Sequence, residues 1–168
     1  MTVFSEKDQR LSAVPRWVIL RTIQRQNVAT HCFNVERIAR RIAIEWINED
    51  VNCDAVSQYA LHHDDDEALT GDIPSTAKDY IQVSMVDNYH QWTNGNEEVK
   101  RIVKLADLLE AVWFLLMEEK MGNSYITKHT AACRNKVMNY AEKYFGSEIA
   151  DKCIGLMARW TNEESQRI

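Results

Sequence analysis

The stretch THCFNVERIARRIAIEWI, residues 30–47, sets Val35, Ile38, Ala39, Ile42, Ala43, Trp46 and Ile47 at spacings of three and four. That period lines them along one side of an α-helix and leaves the charged residues on the other. His31 lies four residues before Val35, so it falls on the inward stripe. Downstream, Ala55, Val56, Tyr59 and Ala60 build a second such stripe and run it into His63. A third and longer pattern begins at a plausible cap, Asn96 followed by Glu97 and Glu98. It carries Val99, Ile102, Val103, Ala106, Val112, Trp113 and Leu116 before stopping at Gly122. Asp107 is one turn from Val103 and one from Ala111, on that inward side.

Two more helices are expected over 124–145 and 147–160, parted by Gly146. No segment alternates with period two. The chain therefore reads as all-α, a bundle of about six helices, with irregular loops near 71–74 and 89–95. Its 168 residues have the length of a single domain, 1–168, with no internal repeat.

The formal net charge of −5 makes the surface as a whole repel phosphate backbones, and no Lys/Arg run offsets it, so nucleic acid is not an expected partner. Cys32, Cys53, Cys133 and Cys153 show no CxxC spacing and read as reduced, buried thiols. No window has a secretory or membrane-spanning character, so a cytoplasmic protein without a membrane partner is expected.

Two histidines and one aspartate thus share inward stripes. A histidine on an apolar face is more often a hydrogen-bonded core residue than a ligand. An inward aspartate is harder to explain, because an ionised carboxylate buried without a partner costs several kcal/mol. A metal is a good candidate for the missing cation. In HHDDDEALTGDIPSTAK, residues 62–78, Asp64 adds a further carboxylate beside His63. Two imidazoles and two carboxylates suit a borderline divalent ion (Mn, Co, Fe, Ni or Zn) better than Ca or Mg. Glu67, three residues beyond Asp64, returns to the same face if the turn continues, where a general acid or base would stand. Asp65 and Asp66 are expected to face water. Phosphate would need local positive charge, for which Arg16, Lys78 and Lys104 are candidates, Lys104 lying one turn before Asp107.

His31, His63-Asp64 and Asp107 resemble in order and type the H, HD, D pattern of HD-domain metal-dependent phosphohydrolases, an all-helical superfamily. RWVILRTIQRQNVATH (16–31), the 62–78 stretch with its HDxxExxTGDxPxxxK pattern, and KLADLLEA (104–111) resemble segments of the YfbR-like 5′-deoxyribonucleotidases and of small phage dATP triphosphohydrolases of the DatZ type. The resemblance implies that His31, His63, Asp64 and Asp107 hold the metal and that Glu67 is the catalytic acid or base. It implies phosphate contacts for Arg16, Lys78 and Lys104, and a place for Trp17 against the deoxyribose, closing the space of a 2′-hydroxyl. Asp72 would bond the sugar or orient the pocket, and Ile19 would line the base pocket. Core packing is the competing role for Trp17 and Ile19.

The activity so implied is hydrolysis at the α-phosphorus of a 2′-deoxynucleotide. The short chain favours the phage-type reaction, dATP to deoxyadenosine and triphosphate, with a 5′-deoxyribonucleotidase acting on monophosphates close behind. Cyclic-nucleotide or (p)ppGpp hydrolysis and a non-catalytic nucleotide sensor fit less well. Homo-oligomer formation is implied as well, and the host cytoplasm is the location if the chain is phage-encoded.

Overall fold

The computed structural model describes residues 6–47, 51–74 and 96–162. Lys78 and the loop expected at 89–95 lie outside them. The described elements are α1 (Glu6–Leu11), α2 (Val28–Ile42) with a π-helical continuation (Ala43–Ile47), α3 (Cys53–His62), the short α4 (Glu67–Thr70), α5 (Glu97–Lys120), a 3-10 turn (Ser124–Ile126), α6 (Thr127–Phe145) and α7 (Ser147–Asn162). Among the described residues there is no strand, only an isolated antiparallel bridge between Pro15 and Asn27. The all-α bundle expected from periodicity is what forms. None of these helices is long and apolar enough to cross a membrane.

Asparagine starts three of the helices. Asn27 accepts from Thr30 N (2.8 Å), Asn52 from Ala55 N (3.0 Å), and Asn96 from Glu98 N (2.9 Å) and Val99 N (3.3 Å), each meeting first-turn amides that no helical carbonyl reaches. Helix α2 consequently begins two residues before Thr30, at Val28. Its far end departs from the expected α-helix, because Trp46 and Ile47 belong to the π-turn. Gly146 ends α6 at φ 84°, in the left-handed region that a side chain disfavours.

Helix α5 is the axis of the bundle and contacts α2, α3, α6 and α7. Its fully buried Leu105, Leu109 and Val112 pack in one cluster with Val35 and Ala39 of α2, Val56 and Ala60 of α3, Val137 and Ala141 of α6 and Cys153 of α7. Burial of this apolar face, at about 25 cal/mol per Å², is the main favourable term. All four cysteines are free; Cys32 and Cys153 are buried, whereas Cys53 and Cys133 are only half-buried.

The segment between α1 and α2 is irregular yet tied down at both edges. Arg16 N donates to Gln26 O (2.9 Å) and Val28 N to Val14 O (3.0 Å). Glu118 of α5, with no solvent exposure, accepts from Ile23 N (2.6 Å), Gln24 N (2.7 Å) and Asn123 Nδ2 (2.7 Å). One buried carboxylate thus replaces the helix or sheet partners that this loop lacks. Glu118→Ala should lower stability by about 2–4 kcal/mol, because it strands two backbone donors; urea denaturation of the purified variant measures it, and a midpoint unchanged from the parent would refute the anchoring role.

Candidate active site

Three helices and one turn converge on the end of the bundle where α2 begins. Helix α2 delivers His31, the end of α3 delivers His63, the following turn delivers Asp64, and α5 delivers Asp107. His31 is fully buried, and its Nε2 lies 3.3 Å from Asp107 Oδ1 and 3.5 Å from Asp64 Oδ2. His63 Nε2 lies 3.4 Å from Asp64 Oδ2. Donor atoms of His31, His63 and Asp107 all fall within 4.8 Å of one another.

The two imidazoles are oriented alike. His63 Nδ1 is 2.7 Å from the Ala60 carbonyl oxygen, and His31 Nδ1 is 2.8 Å from Glu110 Oε2. A ring that donates from Nδ1 keeps its Nε2 lone pair for a ligand. Both Nε2 atoms are buried and make no hydrogen bond. Nitrogen and oxygen ligands about 2.0–2.2 Å from a shared ion stand roughly 3.0–3.5 Å apart, which matches the separations here. The residues fit a divalent metal.

Electrostatics agree. Burial and Arg16 both oppose a charge on His31, yet its contacts with Asp107 and Glu110 push its pKa up to about 9. Burial would raise Asp107, but Lys104 and His31 hold it well below the usual carboxylate range. Asp64 is likewise lowered, by His63, His31 and Arg16 acting against burial. Asp64, Asp107 and Glu110 together demand positive charge at the point the two Nε2 atoms face, which a divalent ion supplies better than a proton. Cys32 Sγ also lies within 4.8 Å of donor atoms of His63 and Asp64. Burial and Asp64 push its thiol upward, away from the thiolate that binds metal.

Glu67 opens α4, is buried, and follows Asp64 by a tight turn in which Glu67 N donates to Asp64 O at 3.0 Å. The turn therefore does continue. Asp65 is half-buried beside His62, its Oδ2 3.1 Å from His62 Nδ1, and Asp66 is also half-buried, so neither simply faces water as expected. Arg16 donates to Asp64 Oδ2 (3.1 Å), and Lys104 Nζ sits 2.6 Å from Asp107 Oδ2. Burial opposes charge on Arg16, but Asp64, Asp107, Glu110 and Asp72 outweigh it and keep the guanidinium firmly charged.

Trp17 has φ 61°, a left-handed conformation rare for a bulky side chain. Three contacts hold it there. Its backbone N donates to Asp72 Oδ2 (3.0 Å), its indole N donates to Gln26 Oε1 (3.0 Å), and its ring stacks on Phe114 at 5.3 Å and 8°. Asp72 is thereby committed to orienting Trp17. Ile19, on the same loop, is 65% exposed.

Sequence reasoning passed over Glu110 and Gln26. Glu110 has no solvent exposure and accepts from His31 Nδ1, from Gln26 Nε2 (2.5 Å) and from Asn34 Nδ2 (3.1 Å). Burial would raise its pKa, but His31, Arg16 and Asn34 hold it low. The signal was present: Glu110 is a lone acid three residues after Asp107, inside the apolar run LLEAVWFLL.

An all-α bundle that brings a histidine, a His-Asp pair and an aspartate together from successive helices defines an HD-domain phosphohydrolase, a hydrolytic enzyme. The family described as 5′-deoxynucleotidase YfbR-like matches residues 4–94, and the chain belongs to it. Similar proteins include a 5′-deoxynucleotidase of Enterobacter sp. (strain 638), 27% identical over 81% of this chain and 86% of that one. Another, from Pasteurella multocida (strain Pm70), is 30% identical over 52% of this chain and 46% of its own. In fold, the chain is similar to the cyanophage S-2L HD phosphohydrolase DatZ bound to dA and one catalytic Zn²⁺ ion, with a TM-score of 0.76, 20% identity and coverage of 97% and 99% of the two chains. An HD-domain phosphohydrolase of Listeria innocua gives a TM-score of 0.62 at 17% identity, covering 95% and 94%.

Glu110→Gln should weaken divalent-metal affinity by about 10- to 100-fold with little change in helicity, since it loosens the group that orients His31. Metal content after dialysis against graded chelator, read by elemental analysis, tests this; affinity equal to the parent would remove Glu110 from the site.

Proposed function

We propose that the chain hydrolyses the bond between the α-phosphorus and the 5′-oxygen of 2′-deoxynucleotides, releasing the deoxynucleoside. The observation that carries this reading is the convergence of His31, His63, Asp64 and Asp107 with Glu67 one turn beyond Asp64 and Arg16 and Lys104 on the carboxylates. These four residues would hold a divalent transition ion, with Zn the first candidate after the DatZ neighbour and Co, Mn, Fe and Ni the others. When bound, such an ion supplies Lewis acidity towards a phosphate oxygen and acidifies water.

The chain's own residues do the rest. Asp64, Asp107, Glu110, Glu67 and Asp72 outnumber the fixed cations Arg16 and Lys104, so an anionic substrate is held here only with a divalent ion present. Arg16 and Lys104 then turn from the carboxylates towards phosphate oxygens. Glu67 takes a proton from the attacking water or gives one to the departing 5′-oxygen. Trp17, fixed by Asp72, Gln26 and Phe114, is a rigid wall for the deoxyribose that leaves no room for a 2′-hydroxyl.

Membership of the 5′-deoxynucleotidase family supports deoxynucleoside monophosphates as the first substrates. A second reading, dATP cleaved to deoxyadenosine and triphosphate, has its own support. A cavity of about 300 Å³ adjoins the cluster through Lys104, and Lys100, Arg101, Tyr140, Tyr144 and one carboxylate, Glu97, 3.1 Å from Lys100, also wall it, giving room and a net positive wall for phosphates beyond the first. Incubation with Co or Mn and, separately, dAMP, dATP and ATP, with chromatography of the products, tests both. Phosphate from dAMP supports the first, intact triphosphate from dATP the second, and turnover of neither refutes the proposal.

Two variants sharpen it. Glu67→Gln should lower kcat by about 10²- to 10⁴-fold while metal content stays that of the parent, as expected when a positioned acid or base is lost; an unaltered kcat would assign Glu67 a bystander role. Trp17→Ala should admit the ribonucleotide, so that the ratio of kcat/KM for deoxy over ribo substrate collapses. Retention of the parent's ratio would take the sugar-reading role from Trp17.

A further inference from the structure

Asn34, one turn after His31 on α2, belongs to two environments. It donates to Glu110, and it lines a second cavity, of about 490 Å³, between α2, its π-turn, α5 and α7. That volume lies within the roughly 300–1,000 Å³ of small-molecule sites. Trp46, Trp113 and Trp160 wall the cavity together with Arg37, Arg41 and Arg159. None of these six takes part in the cluster at His31.

The composition of the walls is at odds with the rest of the chain. A protein of net charge −5 here gathers three guanidinium groups against one carboxylate, Glu45. Glu45 is 3.4 Å from Arg41. Among the described residues neither Arg37 nor Arg159 has a carboxylate partner. Trp46 and Trp160 also pack on the main core, and Trp113 on the cluster of Phe114, Leu115 and Ile126, but core packing does not call for the cations. Flat indole faces receive planar rings, and guanidinium forks receive phosphate oxygens in pairs.

The backbone gives an independent sign. Helix α2 widens into a π-turn over AIEWI, residues Ala43–Ile47, where Glu45 and Trp46 reach the cavity. No glycine or proline there accounts for the widening, and π-turns gather at functional sites.

We propose that this cavity is a second ligand site, distinct from the metal cluster, for a planar aromatic anion of the nucleoside-phosphate class. Its occupant stacks on the indoles, places phosphate oxygens on Arg37 and Arg159, and lies against Asn34, one hydrogen bond from the carboxylate that orients His31. The proposal does not depend on which deoxynucleotide is the substrate.

The test is titration of the full chain with ATP, and separately with dAMP, in EDTA so that the cluster at His31 lacks the ion it needs to hold phosphate. Binding is followed by quenching of tryptophan emission. Saturable quenching is expected in the parent and in Asp107→Asn, with affinity at least about tenfold weaker in the Arg37→Ala/Arg159→Ala double variant, as for loss of charge-assisted contacts. Trp160→Ala, a chemically different change, should weaken it likewise, and circular dichroism checks the fold of each variant. The proposal is overturned if neither nucleotide quenches saturably up to about 1 mM, if both pocket variants bind as the parent does, or if binding is lost in Asp107→Asn and kept in the arginine variant. A shift in sedimenting mass on Trp160→Ala would instead mark the cavity as a contact between copies, and also overturns it.

Discussion

A carboxylate with no access to solvent, Glu110, is the interaction on which the rest depends. An ionised acid in that position is tolerable only when its oxygens are fully engaged, and removing one partner leaves a penalty of about 3–5 kcal/mol. Glu110 meets the condition by collecting donors from three places: His31, Gln26 and Asn34. Each donor is thereby fixed for something else. His31 must point Nε2 at Asp64 and Asp107, and Gln26 must offer its oxygen to the indole of Trp17. The requirement to satisfy one buried charge thus orients a proposed metal ligand and a wall of the proposed sugar pocket together.

The same logic explains why the cluster tolerates so many acids. HHDDDEALTGD would be a repulsive stretch on a smooth surface. Here Asp64 is shared by His31, His63 and Arg16, Asp65 faces His62, and Asp72 accepts from the Trp17 backbone. These three carboxylates have their own cations or donors, so much of the crowding in sequence is dispersed in space. What remains is a surplus of negative charge where the two Nε2 atoms converge, and that surplus selects a divalent cation over a monovalent one.

Helical periodicity made His31, His63 and Asp107 legible, because an ionisable group on an apolar stripe is visible as an exception. The all-α class was legible for the same reason, with element ends displaced by a residue or two where asparagine caps intervene. Glu110 and Glu118 were passed over, since an acid on a helix is ordinarily a solvated one; the apolar run around Glu110 was a local sign of burial, whereas Glu118, followed by Glu119 and Lys120, had none. Gln26, Asn34, Ile23 and Gln24, which donate to them, lie 76 or more residues away in the chain, although Asn123 is five residues from Glu118. The π-turn at Ala43–Ile47 was hidden by the same stripe that revealed the helix: Trp46 and Ile47 keep an α-helical spacing in sequence while the backbone departs from it. Lys104 and Arg16 were read as phosphate ligands and are found on Asp107 and Asp64, a pairing that sequence spacing suggested only for Lys104.

Trp17 shows how stability and the proposed specificity are joined. Its left-handed backbone is worth roughly 1–3 kcal/mol of strain. Nothing within residues 16–18 requires that conformation, so its cause is tertiary: the Asp72 carboxylate takes the amide, Phe114 takes the ring face and Gln26 takes the indole N–H. A tryptophan held from three directions cannot swing aside, whereas one in a relaxed conformation with fewer anchors could, and in the proposed role that rigidity is what would exclude a larger sugar. Strain and rigidity are then two aspects of one arrangement, sustained by contacts with α5, the turn at Asp72 and Gln26 near the far end of the loop rather than by the neighbours of Trp17 in sequence.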